Sequence, residues 1–217
     1  MDDADADAAG WRNIFDAARN NDKNAVRYFI EKKGVPTRHT NSKEQTVAHI
    51  AAVNGNLPVL EYILGRDPSL LKILDENKNN LLFLLIERGF LDAIKFLVEV
   101  HKVDLLEGNI FRFGNNAVHI AAQAGHLDIL KYFIEENNVD VNVKNELLET
   151  PVFYAAEESH LEIVQYLVEE RDANVTLTDW NGDNILYTSA KVGDLKVPRY
   201  LLDEKQTYYN INGRDIS

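Results

Sequence analysis

Residues 116–134 read Asn-Ala-Val-His-Ile-Ala-Ala-Gln-Ala-Gly-His-Leu-Asp-Ile-Leu-Lys-Tyr-Phe-Ile, and most of the remaining chain is copies of this stretch. Thr46 to Leu64 repeats it, with His49, Ala51-Ala52, Gly55, Leu57 and Val59-Leu60 in the same order. Thr150 to Val168 repeats it again, with Pro151, Ala155-Ala156, His160-Leu161 and Ile163-Val164. Weaker copies run from Asn80 to Val98 and from Asn184 to Leu202, so the copies begin 34, 36, 34 and 34 residues apart. One period upstream of Ala51-Ala52 stands Ala17-Ala18, followed by Val26 and Phe29-Ile30, a sixth and degenerate copy. A fixed period of this size means a stacked array of small units, because no single unit can bury its own apolar face.

Within each copy the pattern is that of two short helices. The first follows Thr or Asn, both good N-caps, and carries an alanine pair that lets neighbouring helices approach closely. A glycine at 55, 89, 125 or 193 ends it, as a left-handed helix terminus prefers. The second sets pairs such as Val59-Leu60 and Ile63-Leu64 on one face at helical spacing. Polar segments such as Asp75 to Asn79 and Asp179 to Asp183 lie between copies and read as hairpin-like loops. The fold expected is all-α: an acidic, disordered N-terminus over 1–10, then repeats over 11–217. The units are 11–41, 42–75, 76–109, 110–145, 146–179 and 180–217. Asn210 to Asp215 resembles the start of one more loop, so the chain is expected either to be a fragment of a longer protein or to have an incomplete last unit.

Composition removes several functional classes. The net charge of −12 argues against binding a phosphate backbone, which needs a positive footprint. Without cysteine there is no disulfide scaffold, thiolate zinc site or cysteine nucleophile. Met1-Asp2-Asp3-Ala4-Asp5 is acidic where a signal peptide is basic and then apolar. The longest apolar run, Leu81 to Ile86, is far too short to span a bilayer.

The repeat resembles the ankyrin repeat, whose signature runs Thr-Pro-Leu-His-x-Ala-Ala, then Gly-His, then paired aliphatics, then Ala-Asp-Val-Asn. The resemblance covers residues 11–217 and recurs in five copies. It implies helix–loop–helix units joined by hairpin fingers, an ankyrin-repeat solenoid with a concave groove that binds other proteins. It also gives Thr46 with His49, Asn116 with His119, and Thr150-Pro151 a structural part, the histidine bonding the capping residue and nearby backbone. His126 and His160 stand at a turn-stabilising position of the same pattern. Asn142, after Asp140-Val141, resembles the site that asparaginyl hydroxylases modify in this family.

The departures from the family pattern are equally readable. The basic step is 34 residues, and the added one is expected after the second helix, as in Glu169 to Asp172. Leu85-Ile86 replaces the alanine pair, so looser or shifted packing is expected in that copy. Leu148 occupies a finger position usually held by glycine, where positive φ is costly. The step of 36 places an insertion near Ile110-Phe111.

No catalytic, cofactor or metal residues are expected. The six histidines contain no His-x-x-x-His pair. Ser159-His160 are neighbours on a turn and lack the geometry of a nucleophile and its base, and no glycine-rich phosphate loop occurs. The family's contact positions fall on Phe111, Arg112, Phe113, Asn115 and Gln123, then on Glu146, Leu147, Glu149, Glu157 and Glu158. In the next unit they fall on Trp180, Asn181, Asp183 and Lys191. Phe113 and Leu147 hold equivalent finger sites and should lie side by side, with Trp180 extending the line. The expected partner is a protein segment with a basic residue beside an apolar one; nucleic acid and membrane insertion are not expected. The expected role is a monomeric, non-catalytic scaffold or adaptor in the cytoplasm, with the nucleus as the other location. Two other readings are the recruiting arm of a larger enzyme or channel and a host-directed microbial effector.

Overall fold

The repeat period becomes a period of helix pairs. The computed structural model describes residues 10–107 and 113–203. The expectations for residues 1–9, for Phe111 and Arg112, and for the chain beyond Asp203 lie outside the described residues. The helices are α1 (Ile14–Arg19) and α2 (Lys23–Glu31), α3 (Val47–Val53) and α4 (Leu57–Arg66), and α5 (Leu81–Arg88) and α6 (Leu91–His101). Then follow α7 (Ala117–Ala124) and α8 (Leu127–Lys131), α9 (Pro151–Glu157) and α10 (Leu161–Gln165), and α11 (Ile185–Val192) and α12 (Lys196–Asp203). The chain divides into two compact units, residues 1–104 and 105–217.

In the first unit α3 packs between α1 and α5, and α4 between α2 and α6. In the second, α9 packs between α7 and α11, and α10 contacts α12. The alanine pairs explain the close stacking: Ala17-Ala18, Ala51-Ala52, Ala121-Ala122 and Ala155-Ala156 are all wholly enclosed. Leu85 and Ile86 are just as completely buried, so the expected loosening of that copy does not take the form of exposure.

Every first helix ends in a left-handed residue, in register with the repeat: Asn21, Gly55, Gly89, Gly125, Ser159 and Gly193. Glycine is required at Gly55 and Gly125 for a second reason. A Cβ there would sit 2.5 Å from the Phe90 ring and 2.8 Å from the His160 ring, respectively. The added residue of the period is not simply appended after the second helix. In two copies the helix widens into a π turn, at Tyr132–Glu136 and Tyr166–Glu170, which takes in one residue more than an α turn would.

The second helices are also stapled to one another. The hydroxyls of Tyr62, Tyr166 and Tyr200 each donate to a glutamate 31 residues earlier, Glu31, Glu135 and Glu169. Arg66 closes the first of these staples on Glu31, and Arg171 closes the second on Glu135. Cations also stack on the rings, Arg27 on Tyr62 at 5.3 Å and Lys131 on Tyr166 at 4.8 Å. The Tyr-to-Glu spacing was present in the sequence as a constant offset, but its meaning depended on knowing that second helices are neighbours.

Candidate partner-binding face

Each described finger is wired by one Asx side chain. Asn41, Asp75, Asn145 and Asp179 each use Oδ1 to accept the N–H groups two and four residues ahead. Such a short acceptor closes a turn without help from neighbouring chain. Successive fingers are then tied by single backbone rungs. Glu76 donates to the Lys43 carbonyl, Glu146 to Phe113, and Trp180 to Leu147, at 3.1, 2.9 and 3.0 Å. The fingers take positive φ at the equivalent positions Glu44, Lys78, Gly114, Leu148 and Gly182, only two of which are glycine, and also at Phe113.

Behind the fingers, capping histidines fix the first helices. His49 takes the Thr46 hydroxyl and backbone N–H on Nδ1, at 2.8 and 3.2 Å. Its Nε2 lies 3.2 Å from the Ile73 carbonyl, to which it donates. His119 does the same with the Asn116 backbone and the Glu149 carbonyl, at 3.3 and 3.2 Å. Burial favours the neutral ring of both, and His119 is held down to about 4. Thr150 differs from Thr46. Its repeat carries Phe153 where the copies at Thr46 and Asn116 carry histidine, as Phe83 and Tyr187 stand there in the copies at Asn80 and Asn184, and the buried Thr150 hydroxyl has no hydrogen-bond partner. Pro151 fills the first helical position of α9, where its missing N–H costs nothing.

Four side chains knit the fifth copy together. Asn145 Nδ2 lies within bonding distance of Asn115 Oδ1, Glu149 Oε2 and the Tyr154 hydroxyl, at 2.7, 3.0 and 3.1 Å. The Tyr154 hydroxyl donates to Glu149 at 2.7 Å. Burial, then this donation, raises the Tyr154 phenol well above its usual range, so it remains a donor.

Beside this knot, Glu149, Glu157, Asp179, Trp180, Asp183, Tyr187 and Lys191 line a cleft of ≈ 290 Å³, together with Asn181, Thr188 and Val192. Trp180 and Tyr187 are 64% and 56% exposed. The Glu157 carboxyl is raised above the ordinary range by partial desolvation at the cleft, then by the neighbouring charges of Glu149 and Glu158, with Lys191 opposing.

The description "Ankyrin repeats (3 copies)" matches residues 63–145 and 137–215, and "Ankyrin repeats (many copies)" matches residues 14–64. The chain belongs to the ankyrin-repeat family. Its all-α, strandless fold among the described residues agrees with the solenoid expected. It is similar to a chain in the structure of the Bd0816 predatory endopeptidase from Bdellovibrio bacteriovorus in complex with immunity protein Bd3460. That match has 18% identity and a TM-score of 0.73, covering 90% of this chain and 99% of that one. It is similar also to the human ASB11 ankyrin repeat domain, at 19% identity and a TM-score of 0.71, covering 90% of this chain and 84% of that one. The ankyrin-repeat protein EF0377 matches at 19% identity and a TM-score of 0.69, covering 87% of this chain and 96% of that one. A comparison with curated proteins finds no match. Ankyrin repeats are generally non-catalytic protein–protein interaction modules.

The ankyrin contact positions separate into groups. Glu149, Trp180, Asn181, Asp183, Lys191 and Glu157 meet at the cleft. Phe113 is 57% exposed, and Glu146 lies against Gly114 in the same pair of fingers. Gln123 is half-buried, and its carbonyl accepts from His160 at 3.0 Å. Glu158 is exposed outside the cleft. Asn115 is not a contact residue: it is buried, and its side chain serves Asn145. On the fifth finger the exposed apolar tip is Leu148, whereas Leu147 is half-buried and holds the rung to Trp180. Asn142 uses Oδ1 to accept the Asn174 N–H at 2.8 Å, linking two copies. Asp179 and Tyr187 were missed. Tyr187 sits at the capping-histidine position, where pattern alone assigns an inward, structural part.

No group of three His, Asp or Glu side chains among the described residues is placed to hold a metal ion, and no described helix is long and apolar enough to cross a membrane.

Proposed function

We propose that this ankyrin-repeat protein is a non-catalytic scaffold or adaptor that binds one protein partner along the finger and first-helix face of residues 113–192. The observation that carries the reading is the company of exposed apolar tips with carboxylates: Phe113, Leu148 and Trp180 stand out from fingers, and exposed Glu157 shares the cleft of Trp180, with Glu158 exposed next in the chain. Large aromatics exposed on rigid turns suit interface anchors, and a carboxylate group suits Arg or Lys of a partner. The partner segment therefore presents a basic residue beside an apolar one. A net charge of −12 supports a protein rather than a nucleic acid. The protein acts as a monomer in the cytoplasm, which accords with its cysteine-free composition.

Affinity capture with mass spectrometry, repeated with variants, tests this. Trp180→Ala should weaken the captured complex by about 2 kcal/mol or more, and the loss should persist in high salt. Glu157→Lys with Glu158→Lys should weaken it as well, while wild-type affinity falls as salt screens the exposed charges. Unchanged affinity in both variants, with folding intact, would move the contact to another surface.

A further inference from the structure

We propose that the cleft beside Trp180 is an arginine socket: it takes one guanidinium side chain of the partner, which rests on Trp180 and Tyr187 and is met by Glu157 and Asp183. The proposal rests on the protein-binding reading above and names the anchor of that contact. The dimensions favour a single side chain. At ≈ 290 Å³ the cleft lies at the low end of ligand pockets, about 300–1,000 Å³, and is too small for a helix.

Charge selects a cation. Four carboxylates, Glu149, Glu157, Asp179 and Asp183, line the cleft against one lysine, Lys191. Two of the four already serve the fold. Glu149 accepts from Tyr154 and Asn145, and Asp179 accepts the N–H groups of Asn181 and Asp183. That leaves Glu157 and Asp183 to meet a ligand. The two aromatic side chains then choose among cations. A guanidinium is planar, stacks on an indole or phenol face, and forks onto carboxylates, whereas an ammonium is a compact, strongly hydrated charge.

Lys191 gives the socket a resident competitor. It acts on Glu157 against the like charges of Glu149 and Glu158, so it holds part of the field an incoming arginine would use. Removing it should tighten binding, an outcome that a merely structural lysine would not produce.

The test is selection of peptides from a random dodecapeptide display library on the full chain, followed by synthesis and titration of the enriched sequence. Enriched peptides are expected to carry one arginine beside an apolar residue. Trp180→Ala should weaken binding about 30-fold, which corresponds to a hot-spot loss of about 2 kcal/mol. Glu157→Gln should weaken it several-fold and Lys191→Ala should strengthen it. Replacing the peptide arginine by lysine should lose part of the affinity, and citrulline, with its shape but no charge, most of it. Enriched peptides lacking arginine, or indifferent to both Trp180→Ala and Glu157→Gln, overturn the socket. If such peptides respond instead to Phe113→Ala and Glu146→Gln, the finger-face function stands and the socket alone fails. If no peptide is enriched, or none responds to any of these four changes, both fail.

Discussion

The copies beginning at Thr46 and at Thr150 share a register, a helix pair and a buried alanine pair, yet their polar positions do different work. In the first, His49 satisfies Thr46 and reaches the carbonyl of Ile73 at the next finger. Its first helix ends in Val53 and Asn54. In the second, Phe153 leaves Thr150 unsatisfied, and Asn145, Glu149 and Tyr154 build a separate knot. Its first helix ends in Glu157 and Glu158, both exposed. The contrast shows that a copy keeps the fold without the capping histidine, its cap hydroxyl left unpaired and its finger held by a different set of side chains. This copy also supplies Glu149 and Glu157 to the cleft, whose other two carboxylates, Asp179 and Asp183, come from the next finger.

The largest expected effect separates copies by their histidines. His119 is held down to about 4 against an ordinary value of 6.5, so its neutral form stabilises the fold fully above 6.5. As pH falls from 6.5 towards 4 the unfolded chain gains a proton that the folded chain refuses, and stability drops. By the conversion of 1.36 kcal/mol per pH unit this amounts to about 3 kcal/mol, with His49 acting in the same direction. Urea melts at pH 7 and pH 4 should show the loss. Hydrogen exchange at pH 4 should show residues 46–53 and 116–124 opening before 150–157. Equal loss of protection in all three would remove the distinction.

Transplanting the later solution without its compensations comes next. His49→Phe strands the Thr46 hydroxyl and the Ile73 carbonyl, each buried group costing about 1–3 kcal/mol when left unpaired. An unfolding free energy lowered by about 3 kcal/mol in urea melts is expected, and a neutral result would show that these bonds are dispensable.

The two threonines give opposite signs. Thr46→Val should cost about 1 kcal/mol, because its hydroxyl is bonded to His49. Thr150→Val should leave stability unchanged or raise it by about 1 kcal/mol, since a buried hydroxyl without a partner is removed at constant volume. Calorimetry on both variants decides it; similar losses at the two sites would mean that the Thr150 hydroxyl has a partner after all.

The smallest effect lies in the fingers. Glu44 and Leu148 hold equivalent left-handed positions, and Leu148→Gly relieves a conformation that is poor for a branched side chain. A gain of about 0.5 kcal/mol is expected, less at Glu44→Gly, where no branch opposes the turn. If Leu148→Gly lowers stability, the leucine packs on the finger more firmly than its 45% exposure suggests.

Periodicity alone determined the helix pairs and the left-handed glycines, because these depend on neighbours within one copy; the part of the capping histidines came from the ankyrin resemblance, and their reach to the Ile73 and Glu149 carbonyls is a contact between copies. The ankyrin resemblance likewise implied a positive-φ residue at Leu148, at the finger position usually held by glycine. What lay beyond it was decided between copies. Asn115 and Asn145 are thirty residues apart and meet only when fingers stack, which turned a predicted contact residue into a buried support. Leu147 and Leu148 are indistinguishable as letters; the rung from Trp180 to the Leu147 carbonyl and the left-handed turn at 148 decide which is presented. Tyr187 reads as a capping residue by position, yet its packing leaves it exposed on the cleft. A repeat pattern records what each copy does for itself, whereas exposure and the partners of polar side chains are set by the surfaces that adjacent copies bring together.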